Sequence, residues 1–183
     1  MSARGFTGLT MRAVAAELGS TTGLLTHYFA NKRALVKYAL DLLDQRTAAR
    51  PRHEAGGGLD GLRAALLDIL PLSGDAVAGN RIWVSSWDAA LADPELTSDH
   101  ARRYARSRSV LAARVAAAQD AGDLPPGDPD RVAAAAQSFT LGLVVQALLD
   151  PAAFPPKHQT ALLDDYLTAL TRRPIDSPAQ HTD

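Results

Sequence analysis

The stretch from Thr10 to Lys32, TMRAVAAELGSTTGLLTHYFANK, constrains the fold more than any other part of the chain. Met11, Val14, Ala15 and Leu18 fall at i, i+3, i+4 and i+7, the apolar face of a 3.6-residue period. Thr10 stands where an N-cap would, its hydroxyl able to accept from a free backbone N–H of the first turn. Gly19 follows the last apolar residue, where a left-handed conformation costs glycine little. Thr21 can cap a second helix, in which Leu25, Tyr28 and Phe29 repeat the inward i, i+3, i+4 spacing. Thr22, Gly23, Leu24, Thr26 and His27 are left facing outward.

Two short helices joined by a tight turn containing glycine form a helix-turn-helix, whose second helix enters the major groove of DNA. Small neutral residues at the start of that helix suit close approach to base edges. Threonine can bond to any base, and Leu24 can meet a thymine methyl. The same periodicity would also serve an ordinary αα-hairpin with a polar outer face.

The segment GFTGLTMRAVAAELGSTTGLLTHYFANKRAL resembles the DNA-binding core of the TetR family of transcriptional regulators. The likeness lies in the G-[FY]-x-x-x-T-[VM]-R-x-[VI]-A start, Gly19, Gly23–Leu24–Leu25, Tyr28–Phe29, Lys32 and Leu35. It covers about a sixth of the chain. A weaker resemblance, from RIWVSSWDAALADPEL to GLVVQALLDP over residues 81–151, is to the regulatory domain of the BetI-like branch. The resemblance implies an all-α fold: an N-terminal helix-turn-helix head plus a helical-bundle regulatory and dimerisation domain. It departs from the family at Ser20, where an apolar residue is usual, at Thr22, where a basic residue is common, and at Thr26, where an aromatic residue that touches phosphate is common. The family also has a further helix of roughly fifteen residues before the glycine that matches Gly5, and only Met1 to Arg4 precede it here. That first helix is therefore expected to be missing, through a misplaced start or an incomplete head.

Charge distribution supports a DNA-reading head. Residues 1–50 carry seven Lys/Arg against three Asp/Glu, a net of +4, and the remainder twelve against seventeen, a net of −5. The overall net charge of −1 hides this asymmetry. Cysteine is absent, which removes disulfides and thiolate metal sites. No run approaches the ~20 unbroken apolar residues of a membrane span, and the first residues contain no signal-peptide core. The expectation is a cytoplasmic protein with no membrane partner.

Beyond the pair, a helix is expected from Asn31 to Arg50, with Leu35, Tyr38, Ala39, Leu42 and Leu43 on one side. Lys32 lies in its first turn, where a cation is poorly placed for the helix dipole unless a phosphate sits nearby. PRHEAGGG, residues 51–58, reads as a flexible linker, since no Gly-Lys-[Ser/Thr] follows the glycines. Helices follow at about 59–70 and 75–92, the latter placing Trp83 and Trp87 on one face with Ala90 and Leu91. After the Asp93–Pro94 break a long helix runs to Ala121 with Tyr104, Leu111, Val115 and Ala118 as its stripe. Arg102, Arg103, Arg106 and Arg108 near its beginning read as a solvated, salt-bridged face. Asp128 caps and Pro129 opens a helix to Leu149 that is apolar on almost every side, and the last helix covers about 157–171. Domains are accordingly 1–50 for the head and connecting helix, 51–172 for the ligand-binding and dimerisation body, and 173–183 for a disordered polar tail.

These readings combine into a ligand-responsive DNA-binding transcriptional regulator, a repressor released from a palindromic operator by a small molecule. Thr22, Gly23, Leu24, Thr26 and His27 would face the groove, Thr21 would cap the recognition helix beside it, and Thr10, Tyr28 and Lys32 would hold phosphates. In the family the last two long helices pair with their copies in a second subunit; a helix apolar all round also has more apolar surface than one small body covers, although a deeply buried monomer core would read the same. Trp83, Trp87, Tyr104 and Phe139 are candidate effector contacts, aromatic walls suited to a flat or greasy compound, or else plain core. The alternative is a small-molecule-binding dimer that has lost independent DNA binding with its first helix. Catalysis is not expected: the five histidines show no H-x-x-x-H pair, no G-x-S-x-G elbow appears, and no cofactor or metal is implied.

Overall fold

The computed structural model describes residues 10–48, 53 and 56–172. The resemblance at Gly5, part of the 51–58 stretch and the 173–183 tail lie outside the described residues. Those described form helices and connections with no strand. In order they are α1 (Met11–Glu17), α2 (Thr22–Tyr28), α3 (Lys32–Ala48), α4 (Gly58–Leu67), α5 (Gly74–Ser85), α6 (Trp87–Ala92), α7 (Pro94–Asp120), α8 (Pro129–Leu149) and α9 (Pro156–Arg172). They group into two compact units. The first combines the chain up to residue 51 with Val77–Arg102, and the second combines Arg52–Ala76 with everything from Arg103 onward.

In the first unit, α1 begins at Thr10, whose Oγ1 accepts from the Ala13 N–H at 3.1 Å. It ends in a Schellman motif. The Gly19 N–H donates to the Ala16 carbonyl at 3.2 Å and the Ser20 N–H to the Ala15 carbonyl at 2.8 Å. Gly19 takes φ +60°, a conformation that a side chain would strain. Thr21 then caps α2, accepting from the Leu24 N–H at 3.2 Å. Ala15 and Leu25 are the buried residues of the two helices. Two expected inward residues are exposed instead. Leu18 falls on the C-cap of α1, where the chain has already left the helical path. Tyr28 closes α2 and is 71 % exposed, its ring edge-on to His27 at 5.3 Å.

Ser20 has a buried hydroxyl with no hydrogen-bond partner. A buried unpaired hydroxyl costs about 1–3 kcal/mol in lost hydration. Ser20→Ala is expected to raise stability by about 1 kcal/mol, measured as the shift of the chemical-denaturation midpoint.

Asn31 caps α3 as expected, its Oδ1 accepting from the Ala34 N–H at 2.9 Å. The inward face of α3 is rotated from the expected one, because its packing partners decide it. Val36 and Leu40, with Leu35 beside them, are buried, whereas Tyr38 is exposed and tilts against Phe29 at 5.3 Å. Val36 and Leu40 form one cluster with Ala90 and Leu96, and Val14, Ile82, Trp83 and Ala89 pack around it.

The helix expected over 75–92 is two helices. At Ser86 the hydroxyl donates to the Trp83 carbonyl at 2.6 Å, a local bond that competes with the regular ladder. The rotation after this break leaves Leu91 exposed rather than on the Trp83 face. Asp93 then caps α7, its Oδ1 accepting from the N–H groups of Glu95 at 3.0 Å and Leu96 at 3.3 Å. Its Oδ2 meets Arg33 of α3 at 2.6 Å, and Arg33 also reaches Glu95 at 2.8 Å. The Arg102 guanidinium pairs with Asp99, in keeping with a salt-bridged face.

In the second unit α4, α8 and α9 pack on one another. Leu62, Leu66 and Leu70 of the α4 segment, Leu111 and Val115 of α7, Val144 of α8 and Leu163 of α9 are all fully or nearly fully buried. The last glycine of the expected linker is anchored: Gly58 has φ +58°, and a Cβ there would fall 2.0 Å from Asp123 Oδ2. That carboxylate accepts the Leu59 N–H at 2.9 Å. Arg63 and Asp164 join α4 to α9 through two bonds of 2.6 and 3.0 Å. Asp128 caps α8, accepting from the Asp130 N–H at 2.9 Å. α8 is long and apolar enough to cross a bilayer, with a mean hydropathy of 1.7, yet carries Gln137 and Thr140 on its buried side. It is a core helix whose other side, including Phe139, Leu141, Val145 and Leu148, is only half-covered, and Leu149 is 81 % exposed.

Candidate nucleic-acid interface

The short helix pair leaves one face of α2 free. Leu25 is its only buried residue, and Thr22, Gly23, Leu24, Thr26, His27 and Tyr28 are all exposed, as are Thr10, Thr21 and Lys32. A helix of seven residues spends one apolar side chain on its partner and presents the rest.

The hydroxyls on this face have defined hydrogen-bonding states. Thr10 and Thr21 use a lone pair to accept a backbone N–H, so each still has its own proton to donate, as a phosphate oxygen requires. Thr26 spends its proton on the Gly23 carbonyl at 2.9 Å and is left with acceptor capacity, the polarity that adenine and cytosine amino groups need. Gly23 is not required by the backbone. Its φ is negative, and a Cβ would meet only Thr21 Oγ1, at 3.9 Å. Gly23 is the second residue of α2, in its first turn, and its missing side chain leaves the backbone there open to close approach. Lys32 begins α3, immediately after the pair; next to it, Arg33 is paired with Asp93 and Glu95, which hold its guanidinium charged.

The four aromatic candidates for an effector fall in both units. Trp83 and Trp87 belong to the first; Tyr104 and Phe139 belong to the second. Trp83 stacks on His100 at 4.6 Å with the planes 18° apart. Trp87 has a buried indole N–H with no partner. The Tyr104 carbonyl accepts from Gln137 at 3.4 Å. Phe139 stacks on Tyr166 at 4.4 Å and 7°, and the Tyr166 hydroxyl is buried without a partner, so burial pushes its pKa up. Phe139 also lines a groove of about 580 Å³ with Gln146, Phe154, His158 and Leu162. The sequence sets Tyr166 inward on the last helix, but it does not show that Tyr166 meets Phe139 or that Ser86 meets His100, because contacts between separate helices leave no local spacing. Among the described residues no group of three or more His, Cys, Asp or Glu could hold a metal.

A doubly capped helix pair with an open second helix is a helix-turn-helix, and the other described residues are helices and their connections. Residues 1–39 match the tetR family of bacterial regulatory proteins, and residues 59–172 match the C-terminal region of BetI-type transcriptional repressors. The chain belongs to the TetR family of transcriptional regulators, in its BetI-type branch. The HTH-type transcriptional regulator BetI of Burkholderia thailandensis is 27 % identical over 171 residues, 91 % of this chain and 85 % of that protein. The fold is shared with a transcriptional regulator from Rhodococcus sp. Rha1, at a TM-score of 0.81 and 24 % identity over 92 % of this chain and 88 % of the other. It is also shared with a regulator from Saccharomonospora viridis solved in complex with choline, at a TM-score of 0.72 and 20 % identity over 91 % and 88 %.

Proposed function

We propose that this regulator is a cytoplasmic, homodimeric repressor that grips a palindromic operator through α2 and lets go when a small molecule occupies its body. The observation that carries this reading is the open face of α2, where every proposed groove residue is exposed and only Leu25 is spent on the fold. Thr22, Gly23, Leu24, Thr26 and His27 read the bases, and Thr10, Thr21, Tyr28 and Lys32 hold the backbone. Residues 1–50 form the reading head and 51–172 the regulatory and dimerising body. The half-covered outer side of α8, with Leu141, Val145, Leu148 and the exposed Leu149, supplies the apolar surface that a second copy would bury. Two copies place their recognition helices about one DNA turn, roughly 34–36 Å, or more apart.

Trp83 and Trp87 in the first unit, and Tyr104 and Phe139 in the second, are the proposed effector contacts, each pair a separate candidate. An effector that binds one dimer spacing more tightly than another shifts the population away from the operator-fitting form. Aromatic faces also attract quaternary ammonium groups, so choline, found in the S. viridis relative, is the first compound to titrate.

The test is binding of the full chain to DNA from upstream of its own gene, followed by fluorescence anisotropy at several salt concentrations. Lys32→Ala is expected to weaken binding to every sequence and to reduce the salt slope by about one. An unchanged slope removes Lys32 from the phosphate contacts. Failure of the wild-type chain to prefer its upstream DNA over scrambled DNA overturns the reading and leaves the small-molecule-binding dimer.

A further inference from the structure

The first unit contains a buried polar pair that DNA reading does not use. His100, 5 % exposed, lies in the second turn of α7, and Ser86, 1 % exposed, sits at the break between α5 and α6. Imidazole Nδ1 is 2.9 Å from the Leu96 carbonyl oxygen, which can only accept, so Nδ1 carries a proton. Nε2 is 2.8 Å from Ser86 Oγ. The same Oγ is 2.6 Å from the Trp83 carbonyl oxygen.

With a neutral ring, the single hydroxyl proton of Ser86 has two claimants, Nε2 and the Trp83 carbonyl. Only a doubly protonated ring satisfies all three contacts at once. Nδ1–H then donates to Leu96, Nε2–H donates to Ser86 Oγ, and the hydroxyl donates to Trp83. The Trp83 ring, stacked on the imidazole, also favours the cation. Burial opposes it and pushes the imidazole below its ordinary value of 6.5, against the pull of the Leu96 bond.

The charges on the surrounding elements are occupied or turned to solvent. Lys37 of α3 pairs with Asp41 and with Asp99 of α7, and Asp99 also holds Arg102. Arg81 of α5, Asp88 of α6 and Arg12 and Glu17 of α1 are exposed. Among the described residues no carboxylate is hydrogen-bonded to the ring.

We propose that His100, clasped by Ser86 at the α5–α6 break, is a proton-responsive switch in the first unit. At neutral pH it is seated uncharged. On acidification it takes a proton on Nε2, which then donates to Ser86 Oγ while the hydroxyl keeps its bond to Trp83, and a buried charge loosens the cluster around Val36, Leu40, Ala90 and Leu96. The sign follows from the lowered folded value. The stability that His100 contributes is fully present above pH 6.5 and is lost as the pH falls below it towards the folded value.

The test needs no DNA and is independent of operator binding. Imidazole NMR signals, tryptophan emission and thermal midpoints of the full chain are followed from pH 8 to pH 5, for wild type, His100→Gln and Ser86→Ala. One imidazole is expected to titrate below 6.5 and to vanish in His100→Gln, with tryptophan quenching over the same interval only when His100 is present. The wild-type thermal midpoint should fall with acidification more than that of His100→Gln. Ser86→Ala removes the oxygen that accepts from the charged ring, so the same signal should titrate at still lower pH; this comparison decides the matter even if His100→Gln does not fold. A midpoint at or above 6.5, identical pH profiles in wild type and His100→Gln, or no signal displaced by Ser86→Ala overturns the proposal.

Discussion

Gly23→Glu is expected to abolish detectable operator binding while leaving the thermal midpoint of unfolding unchanged or slightly raised. The fold has no objection to a side chain there, because φ is negative and the new Cβ meets only the Thr21 hydroxyl at 3.9 Å. Glutamate is a better helix former than glycine by roughly 0.5–1 kcal/mol, and an acidic group in a first turn complements the helix dipole. On the proposed groove face the same carboxylate meets polyanionic DNA at close range. Juxtaposed like charge costs several kcal/mol, on the order of a hundredfold or more in affinity. Anisotropy with upstream DNA and a melting curve, run on one preparation, separate the two effects. A variant that melts normally and still binds would show that α2 turns another face to DNA.

The largest stability effect is expected at Leu40→Ala. Leu40 is 1 % exposed and sits in the cluster with Val36, Ala90 and Leu96. Truncating a leucine in such a site removes its transfer free energy and leaves a cavity that the surroundings fill only partly, a combined cost of about 2–5 kcal/mol. Chemical denaturation measures it. Leu91→Ala is the control: Leu91 is 86 % exposed, and its loss should change stability by no more than about 0.5 kcal/mol. Comparable effects at the two positions would mean that α3 does not pack where the cluster places it.

How much of this was legible beforehand depends on the range of the interactions. Thr10, Gly19, Thr21, Asn31 and Asp128 act on backbone groups within a few residues, and their roles as caps and turn were readable from spacing alone. The face of α3 was not. Tyr38 and Leu40 are both apolar and both compatible with a helical stripe, and the choice between them is made by Ala90 and Leu96, some fifty residues away. The break at Ser86 was equally hidden, since a serine inside a helical pattern gives no sign of whether its hydroxyl bonds the preceding turn. The outward residues of α2 were legible because periodicity set Leu25 inward; it set Tyr28 inward too, and at the last position of the helix that side chain stays exposed. Their exposure follows from the fold; the bases they meet do not.

The first unit is discontinuous, taking in Val77–Arg102 after the chain has already left it near residue 51. This has a consequence for synthesis. Domains are generally made and folded from the N-terminus as they leave the ribosome, at about 5–20 residues per second. Val36 and Leu40 emerge early but have no Ala90 or Leu96 to cover them until more than half of the chain has been translated. The helix pair is thus made before Val77–Arg102 and cannot complete its unit until residue 102 is free. For several seconds the nascent chain carries its helix pair on an unfinished support, with the apolar side chains of Val36 and Leu40 still uncovered.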